Sequence, residues 1–475
     1  MELSHLIDVA TYEFKQKILA CGDKLDREHL TPDLAEQMTQ GIKEALAAAG
    51  VAALRTFLES YEVDADTVEV EDTLYRYKQP SGKLFLTPFG PMGLTRKLYQ
   101  ADRGGPSYVP LDHHWGMVGQ FATVEVREAV LFGCAHITPE ETVQVLDKTA
   151  LFHPSPTAIK HIVEAMGVWM EEQGEAMPET IRQHEDVPEE TQVMVASLDG
   201  TTVLLNEPGP KQGRPAERPH GKAADAADVA SSVRHAMVGS ISWYGPPEEE
   251  TKAPNRLRAC YVAQMPEPKA PTLKARFEAE LRHWETQLPE TVAKLLLLDA
   301  HRGLWRYADQ PRFDTYYKAV DFYHTTEHLS KAAEALFGKG NPQAQQWYDT
   351  YYDQLLEEDN AGQRVLRSID YYQAHLNLPK TRQQAVATER TFFRRNHHRM
   401  PYAQFRRRGW PIGSGPVEAA GKTLVKTRLC RSGMRWSRKG GQRILQLRTY
   451  VKSGRWEPFW KHYKQRLYDT YERAA

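Results

Sequence analysis

The sequence predicts an α/β protein built on a mixed sheet flanked by helices, and three observations lead there. Strand-like apolar runs crowd together at 193–199, 201–205, 237–244 and 257–264. Two later runs, 294–299 and 317–321, alternate with helix-forming text, the pattern of strands joined by crossover helices. A long polar helical stretch then intervenes before a glycine-bounded helix begins near Pro416. The chain has 475 residues, of which 41% are hydrophobic and 26% charged, an ordinary globular balance with room for several domains.

In chain order, residues 1–62 read as helical, because Leu34, Met38, Ile42, Leu46, Val51, Leu54 and Leu58 recur at helical spacing. They suit a packing or dimerisation element. Residues 63–120 change to short β-type runs, 73–77 and 83–87, with a Pro-Ser-Gly turn expected at 80–82, hence a small β-hairpin module. Residues 121–188 carry two helix starts: Thr138 and Glu141 form a capping box with Pro139 between them, and Ser155-Pro156 opens a second helix. The result is helix-turn-helix-like, although Lys160 and His161 are the only candidate groove-readers and Glu164 opposes them. A structural helical hairpin fits equally well.

Residues 189–330 hold the core strands. Asp199-Gly200 is expected to turn the chain between the runs 193–199 and 201–205. Residues 206–232, rich in Pro, Gly and Ala, read as a mobile loop. Phe277, Leu281, Trp284 and Leu288 stripe a helix that Pro289 ends, and another helix is expected to start near Thr325. Residues 331–405 form a helical insertion in which the pairing of Trp347 with Tyr348 and Tyr351 fits a hydrophobic helix interface. Residues 406–475 supply a core helix, mounted on Gly413-Ser414-Gly415, and a basic tail.

The net charge of −1 conceals a strong polarity. Residues 381–475 contain 23 Lys and Arg against 5 Asp and Glu, which leaves 38 basic and 57 acidic side chains in the first 380. A segregated basic surface suits a polyanion, with nucleic acid the leading candidate. Cys21, Cys134, Cys260 and Cys430 stand over a hundred residues apart, so neither a zinc ribbon nor a disulfide framework is encoded locally. No apolar run is long enough to span a membrane, and the amino-terminal residues do not resemble a signal peptide. The expectation is a cytoplasmic protein.

Two aspartates, Asp199 and Asp299, each end an apolar strand. A carboxylate there is costly to desolvate unless it is paired or holds a cation. Turn chemistry explains either one alone. Glu418, rigidly mounted in the first turn of its helix, is explained alone by the helix dipole and a pair with Lys422.

The segment 413–422, Gly-Ser-Gly-Pro-Val-Glu-Ala-Ala-Gly-Lys, with Arg431-Ser432-Gly433-Met434-Arg435-Trp436-Ser437 after it, resembles the end of the ISKra-type insertion-sequence transposases. That family belongs to the DDE group, is related to Mutator-like elements and has an RNase H-like catalytic domain. Asp199-Gly200, Leu298-Asp299, the stretch from Asp321 through His324 to Leu329, and Asn396 to Tyr402 appear in the family's order. The resemblance spans about 85–462. It implies that Asp199, Asp299 and Glu418 are the catalytic triad, holding two Mg²⁺ ions, for which Mn²⁺ would substitute. It makes Asp321 and His324 site-supporting. The implied chemistry is cleavage at element ends and strand transfer into target DNA.

This chain departs from the family twice. Asp299 is followed by Ala300 rather than glycine, and residues 99–105 lack the paired cysteines of many relatives, so no zinc is expected. For DNA contact the expected residues are Arg399, Tyr402, Trp410, Lys422, Lys426, Arg428, Arg431, Arg435 and Trp436, which lie around Glu418. The expected partners are double-stranded DNA, as terminal inverted repeats and target, and further copies of the chain in a homodimer or higher oligomer on DNA. The expected setting is the bacterial nucleoid. Two other readings stand beside this one: a transposase-derived DNA-binding protein without cleavage activity, and a structure-specific nuclease.

Overall fold

The computed structural model describes residues 3–22, 29–206, 233–250 and 253–472. The expected loop at 206–232 lies, from 207 onward, outside them. The protein is mixed α/β, with helices and two sheets, and it divides into two compact units. Among the described residues no helix is long and apolar enough to cross a membrane.

The first unit comprises residues 1–177 and 456–475. Helices Leu3–Gly22 and Pro32–Glu59 precede a four-stranded antiparallel sheet of β1 (Thr67–Val70), β2 (Thr73–Thr87), β3 (Gly90–Ala101) and β4 (Ser107–Tyr108). The turn expected at 80–82 is absent: β2 runs straight through Pro80 and Gly82, which pair with Lys97 and Thr95, and the chain reverses only after Thr87. Ladder pairing along the whole of β3 outweighs the local turn chemistry. Phe85, Met92 and Leu94 share one core with Leu58 and Leu111. The capping box at Thr138 and Glu141 forms as expected, opening helix Pro139–Thr149, and Ser155 caps helix Pro156–Gln173. The last helix, Trp456–Glu472, closes on this unit through Arg127, whose guanidinium donates to the Tyr463 hydroxyl.

The second unit, residues 178–455, carries a five-stranded sheet. β5 (Val193–Leu204), β6 (Val233–Tyr244) and β7 (Arg256–Gln264) form an antiparallel meander, and β8 (Ala293–Leu298) and β9 (Tyr317–Val320) add in parallel, giving the order β7-β6-β5-β8-β9. Each parallel strand follows a helix, Pro271–Gln287 before β8 and Arg302–Ala308 before β9, the crossover connection that parallel pairing requires. The four leucines 295–298 are fully buried, which suits a strand covered on both faces. Gly200 makes no turn. It continues β5, paired with Met237, and the strand runs on to Leu204 because β6 offers it a partner throughout.

After β9, helix Phe322–Phe337 begins three residues earlier than the sequence suggests, capped by Asp321. Helices Pro342–Glu357, Ala361–His375 and Lys380–Asn396 form the helical insertion. Trp347 is buried there, its indole donating to Ser368 Oγ at 2.8 Å, so it is an interface residue of the insertion. The expected core helix spans Gly415–Ala420 and Thr427–Leu429, joined by a widened π-type turn over Gly421–Lys426.

Candidate active site

Sheet register brings three aspartates to one level. Leu198 on β5 pairs with Leu298 on β8, and Leu298 pairs with Val320 on β9, so the next residue of each strand is Asp199, Asp299 and Asp321. That register holds without interruption from Val193 to Leu198 on β5 against Ala293 to Leu298 on β8, and from Leu295 to Leu298 against β9.

Glu418 reaches this row on a helix that closes on the sheet at Gly421 and follows a turn packed tightly at Gly413. A Cβ on Gly421 would lie 2.6 Å from Thr201 Oγ1 and 3.6 Å from Asp199 Oδ2. A Cβ on Gly413 would strike the Tyr323 ring at 2.8 Å. A larger residue at Gly421 would push the segment that carries Glu418 off β5, and one at Gly413 would displace the preceding turn or the Tyr323 ring on the neighbouring helix.

Asp321 locks this approach. Its Oδ1 accepts from the His324 backbone N–H at 2.7 Å, capping helix Phe322–Phe337. Its Oδ2 accepts from the Ser414 backbone N–H and from Ser414 Oγ at 2.9 Å, tying the turn that mounts Glu418 to the end of β9. Asp321 is fully buried with both oxygens occupied. It is a positioning residue; of the acids expected from the sequence, Asp199, Asp299 and Glu418 are left facing the site, and Glu327 on helix Phe322–Phe337 lies near enough to act on Asp299 and Glu418.

Their electrostatics are mutually repulsive. Burial, then the charges of Asp199, Asp321 and Glu418, push the Asp299 carboxyl up to about 7. Burial raises Asp199 as well, against the Gly200 N–H, which donates to its Oδ1 at 2.6 Å, and the nearby Lys426 and His235. Burial and Asp321 raise Glu418, with Lys422 opposing. Among the described residues the Asp299 carboxylate has no hydrogen-bond or ion-pair partner, although its backbone carbonyl accepts from the Trp305 indole at 2.9 Å. Carboxylates that repel in this way are relieved by a divalent cation, and hard oxygen donors are what Mg²⁺ takes. The donor chemistry therefore fits that ion. Among the described residues, no three His, Cys, Asp or Glu side chains already stand close enough to chelate one.

His324 lies beside the row, half-buried between His328 and Phe392, and burial lowers its pKa. With Asp299 and Arg395 it lines a cavity of about 640 Å³ that extends to helix Lys380–Asn396.

The residues expected to touch DNA divide sharply. Lys422, Lys426 and Arg435 are exposed, and Arg431 is half-exposed. Arg399 stacks on Trp305 at 3.9 Å and pairs with Asp309 at 3.0 Å, so it braces the loop after Asp299. Trp410 packs on Tyr317 and Phe405, and Trp436 extends the edge of β5 by exchanging backbone hydrogen bonds with Leu204 and Asn206. Tyr402 and Arg428 correct the expectation. Tyr402 is fully buried and donates to the Val320 carbonyl at 2.9 Å; Arg428 is 1% exposed beneath the Trp436 ring. Helical phase, which a basic run conceals, turns both inward.

Sequence reasoning missed Arg234, Lys269, Lys274 and Arg306, which line a second cavity shared by Asp199 and Asp299. They come from separate elements of the acidic part of the chain, and only the sheet order brings them together. No protein-family model matches this chain, and no curated protein matches it in sequence.

Proposed function

We propose that the chain is a DDE transposase with an RNase H-like catalytic domain, which cleaves DNA at the ends of a mobile element and joins them to a target. The observation that carries this reading is the convergence of Asp199, Asp299 and Glu418, from two adjacent strands and a separate helix, with Asp299 left unpartnered among like charges. A sheet of three antiparallel strands extended by two parallel ones, in the order β7-β6-β5-β8-β9, supports the fold assignment. The three carboxylates would hold Mg²⁺, or Mn²⁺ in its place, which supplies activation of the attacking oxygen and stabilisation of the leaving one. Asp321 keeps Glu418 in position for this. Lys422 beside Glu418 and Lys426 beside Asp199 present exposed cations next to the acids, where a phosphodiester backbone would lie.

The test is incubation of the wild type and Asp299→Asn with Mg²⁺ and end-labelled DNA carrying the sequences that flank the gene. The reading requires strand cleavage and joined products from the wild type alone. Equal products from both proteins would exclude Asp299, and DNA binding without any cleavage would favour a DNA-binding derivative of such an enzyme. Sizing the wild type on element-end DNA tests the expected dimer or higher oligomer.

A further inference from the structure

Arg399, expected from the sequence to touch DNA, is turned toward the strand end that carries Asp299. Its guanidinium lies 3.9 Å from the centre of the Trp305 ring, and its Nη2 donates to Asp309 Oδ2 at 3.0 Å. Both partners belong to one short element. Trp305 lies in helix Arg302–Ala308, and Asp309 ends that helix, its N–H donating to the Trp305 carbonyl at 2.8 Å. The buried Trp305 indole in turn donates to the Asp299 carbonyl at 2.9 Å. A planar guanidinium stacked on an indole is held in one orientation, and its withdrawal from water strengthens the attraction. Arg302, Arg306 and Arg395 line the same cavity of about 550 Å³ and are exposed, whereas Arg399 is half-buried on the ring.

The base of this brace is fixed by the helical insertion. Arg399 ends the short helical turn His397–Arg399, which follows helix Lys380–Asn396 directly. Helix Ala361–His375 closes on that turn at Gly362, where a Cβ would lie 2.8 Å from Met400 Sδ and 3.1 Å from the His397 carbonyl oxygen. The insertion therefore seats Arg399, Arg399 holds Trp305, and Trp305 holds the backbone of Asp299. For Asp321 the side chain carries its own hydrogen bonds. The Asp299 carboxylate has none among the described residues, so its place in the site is set by the backbone that bears it.

We propose that Arg399 is a positioning residue that acts through Trp305 to hold Asp299, so that the helical insertion sets the place of the unpartnered acid. The consequence for cleavage rests on the function proposed above, whereas the hold on the backbone does not. Hydrogen exchange of the full chain, read by mass spectrometry without DNA or metal, measures that hold directly. Arg399→Ala should exchange about tenfold faster over residues 299–305, with the wild-type rate over 317–320. Arg399→Lys keeps the charge but loses the planar stack, and should behave as the alanine variant does. Trp305→Phe keeps a ring under the guanidinium, removes the N–H that reaches Asp299, and should show the faster exchange too. Oligonucleotide affinity in EDTA and its salt slope should be unchanged in all three, while cleavage turnover at saturating DNA falls about ten- to a hundredfold. A phosphate contact at Arg399 would instead make the salt slope shallower by about one in Arg399→Ala, with recovery in Arg399→Lys, and that result would overturn the brace. Wild-type exchange over 299–305 in Arg399→Ala and Trp305→Phe would overturn it as well, as would faster exchange with undiminished cleavage. Faster exchange in variants of a wild type that does not cleave would overturn only the cutting reading.

Discussion

The ends of β8 and β9 carry the same residue type at the same level of one sheet, and they treat it in opposite ways. At the end of β9, Asp321 is fully buried and accepts three hydrogen bonds, from one helix N-terminus and one turn. At the end of β8, Asp299 is partly open, has no partner for its carboxylate among the described residues, and is pushed up to about 7. The difference lies in the donors that follow each strand. Phe322 opens a helix at once, so its first turn offers N–H groups to Asp321. After Asp299 the chain runs through Ala300 to His301, and it is His301 that caps the next helix, accepting from the Gly303 N–H at 3.2 Å. One aspartate becomes architecture and its neighbour stays available for chemistry.

The largest effect that can break this contrast is on catalysis. Under the proposed function, Asp299→Asn should lower Mg²⁺-dependent cleavage by at least about 10³-fold, roughly 4 kcal/mol of transition-state stabilisation, measured by single-turnover assay on labelled DNA. Folding should be unimpaired, because no described hydrogen bond to the side chain is lost. A variant that cleaves normally would place Asp299 among the structural residues with Asp321.

Asp321→Ala should behave in the reverse manner. It leaves the Ser414 donors and a helix N-terminus without their acceptor, and should cost about 3 kcal/mol in chemical denaturation. Cleavage should fall too, because the mount of Glu418 loosens, while Asp321→Asn, which keeps one acceptor oxygen, should recover part of both losses. Full stability together with lost cleavage would make Asp321 a fourth member of the acid cluster instead of its clasp.

A smaller effect concerns pH without metal. A carboxyl raised from its ordinary value to about 7 keeps its proton in the folded state where the unfolded chain has lost it. Stability in EDTA should therefore decline as pH rises from about 4 to 7 through this group. Asp299→Asn removes the charge, so it should melt with the wild type near pH 4 and be more stable, by about 1–3 kcal/mol, at pH 8. A gap that widens toward acid would reverse the sign and exclude like-charge repulsion as the cause.

Much of this was legible in the sequence. The strands 294–298 and 317–320 announce themselves as apolar runs, Asp299 as the polar residue that ends one, and Gly413-Ser414-Gly415 as a mount for Glu418. What the sequence conceals is pairing. Asp199-Gly200 reads as a turn until β6 is known to lie alongside it, and Pro80-Ser81-Gly82 reads as one until β3 does. Side-chain direction is equally hidden in the basic segment, where charge gives no phase: Lys426 faces out and Arg428, two residues on, faces in. Arg234, Lys269, Lys274 and Arg306, which line the second cavity, could not be found from composition, because they lie in the acidic first 380 residues and the β7-β6-β5-β8-β9 order is what brings their elements together.

The finest test of the comparison is a single hydroxyl. Tyr402 donates to the Val320 carbonyl at 2.9 Å and lies 2.7 Å from Thr325 Oγ1, so it ties the last residue of β9 to the first turn of the helix that Asp321 caps. Tyr402→Phe keeps the buried ring, which packs edge-on against Phe322, and removes only this tie. The expected loss is about 1 kcal/mol of stability, because the Val320 carbonyl and Thr325 hydroxyl are left in a dry site. Oligonucleotide affinity should be unchanged at every salt concentration, since a fully buried side chain contacts no phosphate. Weaker binding with unaltered stability would mean that the end of β9 opens to admit DNA, and the division between a closed β9 end and an open β8 end would then fail.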